Sequence, residues 1–397
     1  MGFSSSSSLT FPLSTSSRVF LNSLKERSWI LQSSSVSKEG SKGAGILLQI
    51  WNLGGTSPLR TLKYLAKDLL ALSSPSTVKA SGLRILHISY QNIINPFKKR
   101  LLRQMIVIGG SASRKLSWEI ARELNCKFSQ PEVKSFPDGE LYVRIPDDLS
   151  GEEVIIVQST PPPQNENLME LFLLLEAASE QGPKSLKAVV PYLAYARQDK
   201  IFKKGEALSL KLISSFIEEA GAEELVVVDI HERESLSYFS IPVKNVTAAP
   251  LLGKYFKGMG LKDPLFLGPD EKAAQQASRA AKELGASFDS LEKERITPEL
   301  VVTSSKELRV KDRDAVIIDD IISTGGTIAE AAKILKKEGA RRIFAACTHP
   351  VLSGNALEKM KAAGVEVVVG TNTIENSHSL VSVAPVIVEG LRQSVLL

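Results

Sequence analysis

From residue 105 onward the chain repeats one rhythm. A short, almost unbroken apolar run ends in a turn, and a longer stretch follows with apolar residues at helical spacing. MIVIGG leads into RKLSWEIAREL, and EEVIIVQST into NLMELFLLLEAASEQG. LKAVVPYLAY precedes ALSLKLISSFIEEAGA, and ELVVVDIH closes the set. The second half has the same character: DPLFLGPD, EKAAQQASRAAKELGA, DAVIIDDI, TIAEAAKILKKEGA, RRIFAACTH, NALEKMKAAG, VEVVVGTNTI and APVIVEGL. Apolar runs without alternation predict strands buried on both faces, and their alternation with helices predicts parallel sheets. Two such sets, 105–246 and 247–397, predict two α/β domains of ordinary size.

Residues 1–104 do not share the rhythm. They open MGFSSSSSLTFPLSTSSRVF, rich in serine and poor in acids, and end NPFKKRLLRQ. That composition suits an organellar transit peptide; MGFSSS also matches a short N-myristoylation pattern. The plainer expectation is a disordered or non-native extension, with Met105 as the true start. Charge separates the same two parts. Residues 1–104 carry 14 Lys/Arg against three Asp/Glu, a net of +11, whereas 105–397 carry 35 against 41, a net of −6. The overall +5 therefore belongs to the leader, and the body lacks the basic footprint of a nucleic-acid-binding domain. No run of 18 or more apolar residues is present, as a membrane-spanning helix requires. The two cysteines, Cys126 and Cys347, form no CxxC pair, so neither a disulfide framework nor a zinc site is expected. A reducing compartment, the cytoplasm, is the simpler expectation; a plastid or mitochondrion is the alternative if the leader is a transit peptide.

The most informative stretch is VIIDDIISTGGT, 316–327. A buried strand ends in two acids, a small polar turn follows, and then an amphipathic helix. In open α/β sheets ligands bind at the carboxyl ends of strands. Gly325 and Gly326 allow amide groups to converge, the helix N-terminus adds partial positive charge, and Ser323, Thr324 and Thr327 add hydroxyls, which together suit a phosphate. Asp319 and Asp320 would repel a phosphate, so they must face hydroxyls or a cation. A phosphorylated sugar satisfies both halves. The bland alternative is that Asp320 and Ser323 only cap the helix.

VIIDDIISTGGT resembles the ribose-5-phosphate loop of the phosphoribosyltransferase fold. FPDGELYVRI (136–145), YLAYARQDK (192–200), VVVDIHERES (226–235), LGPDEKAA (267–274) and SLEKERI (290–296) resemble, in order, ribose-phosphate diphosphokinases, closest to the short archaeal type. The resemblance covers 105–397 and implies two tandem phosphoribosyltransferase-like domains. The implied reaction moves the β,γ-diphosphoryl group of ATP to O1 of ribose 5-phosphate, giving 5-phosphoribosyl 1-diphosphate and AMP. It implies that Phe136, Asp138, Gly139 and Glu140, with Arg197 and Gln198, bind ATP. It implies that His231 and Asp270 contact magnesium, although histidine is an unusual ligand for so hard a cation. It implies that Lys293 is catalytic and Arg295 a second phosphate and sugar-phosphate contact, both on a mobile loop. The sugar phosphate would meet Asp319, Asp320 and residues 323–327. Homo-oligomers built on dimers, with the ATP site drawn from two subunits, are implied too.

Taken singly, these motifs have ordinary readings. PDGE is a common turn, Arg197 could pair with Asp199, a histidine after a strand is often structural, and SLEKERI is an unremarkable charged loop. Two other functions compete: a phosphoribosyltransferase, which needs only one such domain with a hood, and a non-catalytic regulatory homologue. The latter would be expected to have lost Lys293, Arg295, Asp319 or Asp320, and all four are present.

Overall fold

The structure is a computed structural model that describes residues 8–12, 29–36, 45–52, 105–295, 301–304 and 308–393, with side-chain surroundings for 105–291 and 308–393. The chain divides into two compact units, 1–94 and 95–397. In the first, β1 (Ser8–Pro12) and β2 (Trp29–Val36) flank β3 (Gly45–Asn52) in an antiparallel sheet. The sequence rhythm had pointed to no ordered element there; the apolar run Ile46–Trp51 supplies the central strand.

The second unit holds two six-stranded parallel sheets. The first is built from β4 (Met105–Gly109), β5 (Lys127–Ser129), β8 (Glu153–Val157), β9 (Ser185–Val190), β10 (Glu224–Val228) and β11 (Val243–Val246), in the order β11-β10-β9-β8-β4-β5. Its four inner strands, β4, β8, β9 and β10, are largely buried on both faces, as continuous apolar runs demand. Ile106, Ile108, Val154 and Ile156 face helices α2 (Gln164–Ser179) and α3 (Ser209–Glu219) through Leu171, Leu174, Leu210 and Ile213. Val107, Ile155 and Val157 face the other way, towards α1 (Arg114–Leu124).

That second face is closed by the last helix of the chain, α8 (Ala384–Gln393), which inserts Ile387, Val388 and Leu391 beside α1. Gly390 permits the close approach, because a Cβ there would lie 2.9 Å from Val246 Cγ1. Lys244 Nζ donates to Gly390 O over 3.1 Å, a cation at a helix C-terminus. The second half of the chain thus contributes its final helix to the packing of the first.

The other sheet is built from β12 (Leu265–Gly268), β13 (Ser287–Ser290), β16 (Asp314–Ile322), β17 (Arg342–Pro350), β18 (Val365–Thr371) and β19 (Ser379–Val381), in the order β13-β12-β16-β17-β18-β19. Helices α4 (Ala249–Lys257) and α5 (Ala274–Lys282) cover one face, and α6 (Gly326–Lys337) and α7 (Ala356–Ala362) the other. Two antiparallel ribbons lie outside these sheets: β6 (Glu132–Ser135) with β7 (Leu141–Arg144), and β14 (Glu292–Arg295) with β15 (Val301–Ser304).

β16 is anchored at its base by Asp314, a fully buried carboxylate. Arg341 Nε donates to it over 2.8 Å, Arg342 Nη2 over 2.7 Å and the Lys262 amide over 2.8 Å. Burial alone would raise its pKa, but the two arginines and the amide outweigh burial and hold it down at about 2. A carboxylate depressed in the folded state stabilises above its unfolded pKa, and that contribution is lost as pH falls through the folded value. Asp314→Asn should therefore cost about 2 kcal/mol at neutral pH, and the difference from wild type should vanish between about pH 4 and pH 2. Urea unfolding across that range measures it; a variant as stable as wild type at pH 7 would contradict the clamp.

Candidate active site

β16 stays buried as far as Ile318 and then presents Asp319 and Asp320 at its tip. Residues 323–325 turn the chain into α6. Gly325 adopts a left-handed φ of 72°, and a Cβ there would lie 2.9 Å from Ala356 O, so both backbone and space require glycine. Around Gly326 the space is open, with nothing nearer than 3.9 Å to an added Cβ. No side chain caps α6, which removes the bland reading of Asp320 and Ser323 and leaves the first-turn amides for a ligand. The amides of Leu352 and Ser353 donate to Ile322 O and Ser323 O, each over 2.9 Å, and fix the turn from the side.

The two acids are not equivalent. Asp320 Oδ2 lies 2.7 Å from His231 Nδ1, contributed by the loop after β10. Its own amide donates to Asp319 Oδ1 over 2.9 Å. Burial raises the Asp320 pKa, but the hydrogen bond and charge of His231 outweigh burial and keep it below the ordinary value. Asp319 has no such cation. Burial, the adjacent Asp320 charge and the charge of Asp270 push it well above the ordinary value.

Tips of strands from both sheets enclose a cavity of about 550 Å3. Asp319, Asp320, Ser323, Thr324, Gly325, Gly326 and Thr327 line one side; His231, Asp270 and Arg197 converge on it. Asp229, Asn245, Lys272, Gln276 and Arg279 line it as well and were not singled out in the sequence. Asp229 and Lys272 each lie two residues from a residue that was, so the strand-end rule applied to neighbours would have found them. Asp229 takes a left-handed φ of 41°, and its Oδ2 accepts the Ala248 amide at 2.9 Å and the Thr348 hydroxyl at 2.7 Å. Beneath it, His349 is buried, with Nε2 3.0 Å from Val228 O and Nδ1 3.0 Å from Thr373 Oγ1; burial holds its pKa below the usual value.

A hard divalent cation fits this donor set only with help. Asp270 accepts the Ala273 amide at 3.1 Å, and His231 commits Nδ1 to Asp320, leaving Nε2 for other partners. Among the described residues no three His, Cys, Asp or Glu side chains form a metal cluster. Few protein ligands plus phosphate oxygens and water is the arrangement that magnesium favours.

The remaining expected residues lie elsewhere. Phe136, Asp138, Gly139 and Glu140 form the turn of the β6–β7 hairpin, outside the cavity lining. The turn is held by its own backbone, with Gly139 at φ 96° and the Phe136 amide donating to Glu140 O over 2.8 Å. The Phe136 ring is exposed and meets Tyr142 edge-on, with 6.0 Å between centroids. Gln198 also turns away, accepting the Ser209 hydroxyl at the start of α3. Lys293 and Arg295 lie on β14, opposite Thr303 and Val301 of β15. Their side chains, and residues 296–300 beyond them, lie outside the described residues.

Residues 105–221 match the family model for the N-terminal domain of ribose phosphate pyrophosphokinase, and 244–384 that for the phosphoribosyl transferase domain. The ribose-phosphate pyrophosphokinase of Methanothermobacter thermautotrophicus is 43% identical over 287 residues, which are 72% of this chain and 100% of that protein. The chain belongs to the ribose-phosphate pyrophosphokinase family. Its counterpart from Saccharolobus solfataricus is 42% identical, over 70% of this chain and 97% of that one. The crystal structure of phosphoribosylpyrophosphate synthetase from Mycobacterium smegmatis superposes with a TM-score of 0.65 at 28% identity, covering 74% of this chain and 99% of that one. The resemblance read from the motifs is thereby borne out, as is the fold of two mostly parallel sheets flanked by helices. The chain is an enzyme of the family's transferase and kinase type, a class that generally uses a metal ion. Among the described residues no helix is long and apolar enough to cross a membrane.

The two glycines separate folding from binding. Gly325→Ala should cost about 1–2 kcal/mol of stability, because it forces a left-handed alanine against Ala356 O. Gly326→Ala should change stability by less than about 0.5 kcal/mol yet weaken anion binding, since its methyl enters the open side of the turn. Denaturant unfolding beside phosphate titration checks both; a stable Gly325→Ala would contradict the geometry.

Proposed function

We propose that the chain transfers the β,γ-diphosphoryl group of ATP to O1 of ribose 5-phosphate, releasing 5-phosphoribosyl 1-diphosphate and AMP, for nucleotide biosynthesis. The observation that carries this reading is the joining of an uncapped helix turn to two adjacent carboxylates in one cavity. The 5-phosphate is assigned to residues 323–327 and the ribose hydroxyls to Asp319 and Asp320. O1 attacks the β-phosphorus as the bridge to the α-phosphorus breaks; the bridging oxygen leaves with AMP and the O1 proton goes to solvent. Positioning and charge stabilisation supply most catalysis of this kind, so no dedicated base is required.

Arg197 would bind the polyphosphate through its planar fork. Magnesium, when bound through His231, Asp270 and phosphate oxygens, would neutralise charge on the transferring group. Lys293 and Arg295 are assigned to the β-phosphoryl oxygens and the sugar phosphate, where they would stabilise developing charge and exclude water. The adenine is assigned to Phe136, Asp138, Gly139 and Glu140. Because this hairpin lies outside its own cavity, we place it over the cavity of a second copy, in a homo-oligomer built on dimers. Gln198 would join the ATP site by releasing Ser209. The compartment proposed is the cytoplasm, with a plastid or mitochondrion as the alternative; imaging of a full-length fluorescent fusion distinguishes them.

Two variants test the assignments by AMP release. Lys293→Ala should lower kcat by about two to four orders of magnitude with little change in sugar affinity, and an unchanged kcat would remove its role. Asp319→Ala should instead raise the KM for ribose 5-phosphate about tenfold or more, because it removes the hydrogen bonds between its carboxyl group and the ribose hydroxyls. Unaltered sugar affinity would mean that this carboxylate points elsewhere.

A further inference from the structure

Among the described residues, two buried side-chain oxygens have no hydrogen-bond partner: Glu152 Oε2 and Gln276 Oε1. Glu152 precedes β8 at the amino end of the first sheet, away from the large cavity. Gln276 lines that cavity. Buried polar groups without a partner are uncommon, and each calls for a cause.

The helix that carries Gln276 fixes where it points. Ala273, Ala277 and Ala280 face the core, and α5 is pressed so close to α4 that a Cβ on Gly253 would lie 2.3 Å from Ala280 O. Gln276 and Arg279, three residues apart, share a side of the helix next to that core face, and both line the cavity together with Lys272 from the turn just before the helix. Lys272 already pairs with Glu232 across the cavity. An amide oxygen on this face accepts a hydrogen bond and repels a phosphate oxygen. It can accept from a hydrogen-bond donor of whatever fills the cavity, and in a sugar phosphate or a metal-held water that donor is an O–H.

We propose that Gln276 is a ligand-contacting residue whose Oε1 accepts a hydrogen bond from an O–H group of the bound reactants. The group is either a hydroxyl of the sugar phosphate or a water held by the metal. The assignment rests on the proposed reaction, and it adds to the sugar site a neutral contact from the helix facing the phosphate turn.

The test compares full-length wild type, Gln276→Leu and Gln276→Asn by steady-state AMP release, varying ribose 5-phosphate and magnesium separately. Gln276→Leu should raise either the sugar KM or the half-saturating magnesium concentration about five- to tenfold, with kcat falling less than that. A rise in the sugar KM identifies the sugar hydroxyl; a rise in the magnesium requirement identifies the metal-held water. Gln276→Asn, which keeps a neutral acceptor oxygen, should lose less than Gln276→Leu. The ligand-free melting temperature of Gln276→Leu should equal or exceed that of wild type, because an orphaned acceptor has been replaced by apolar surface. Unchanged saturation by both reactants, a lowered melting temperature, or an asparagine variant worse than leucine would each overturn the assignment. A wild type that releases no AMP would remove the reaction and this assignment with it; an active wild type with an unaffected Gln276→Leu would remove the assignment alone.

Discussion

Two adjacent carboxylates at the end of a buried strand repel each other, and the 2.7 Å contact between Asp320 and His231 is what allows the protein to keep them. It compensates one acid and leaves the other, Asp319, with its pKa well above the ordinary value. The partners come from different sheets, so the same contact brings the carboxyl ends of the two sheets together. Thr348 on Asp229 and His349 on Val228 O reinforce that seam from below. The cavity exists between the sheets because these polar groups must meet there.

Around this seam the protein is built to hold β16 still. Its base is clamped through Asp314 by two arginines, its middle is buried on both faces, and its tip runs into a turn that only glycine at 325 can make. The proposed recognition of a phosphorylated sugar by fixed backbone amides would require such rigidity, because amides that must first be ordered bind more weakly. The adenine-binding candidates are placed on the opposite principle. Phe136 stands exposed on a two-stranded ribbon, held by its own turn, by the Tyr142 ring and by Lys134 lying over both rings.

The fold was legible from residue 105 because its signals are local. Unalternating runs such as EEVIIVQST state that a strand is covered on both faces, and glycine-ended helical stretches state where the next strand begins. The turn proposed to hold the sugar phosphate stood out for the same reason, since Asp319, Asp320 and residues 323–327 are contiguous. What the sequence hid was long-range. Nothing local marks APVIVEGL as the helix that closes the first sheet; its apolar stripe would fit any sheet, and only Gly390 against Val246 records the choice. The pairing of Asp320 with His231 spans 89 positions, and Gln276 looks like any polar helix residue until its oxygen is found buried without a donor.

The central claim is that one cavity joins a phosphate turn to a pair of ribose-facing acids for diphosphoryl transfer. The most direct measurement incubates the full-length chain with ATP, magnesium and ribose 5-phosphate, and follows nucleotides by chromatography and phosphorus by NMR. AMP and 5-phosphoribosyl 1-diphosphate should appear in equal amounts, and only when the sugar phosphate is present. Release of ADP, or of AMP without the sugar, or no reaction from a folded protein, would contradict it.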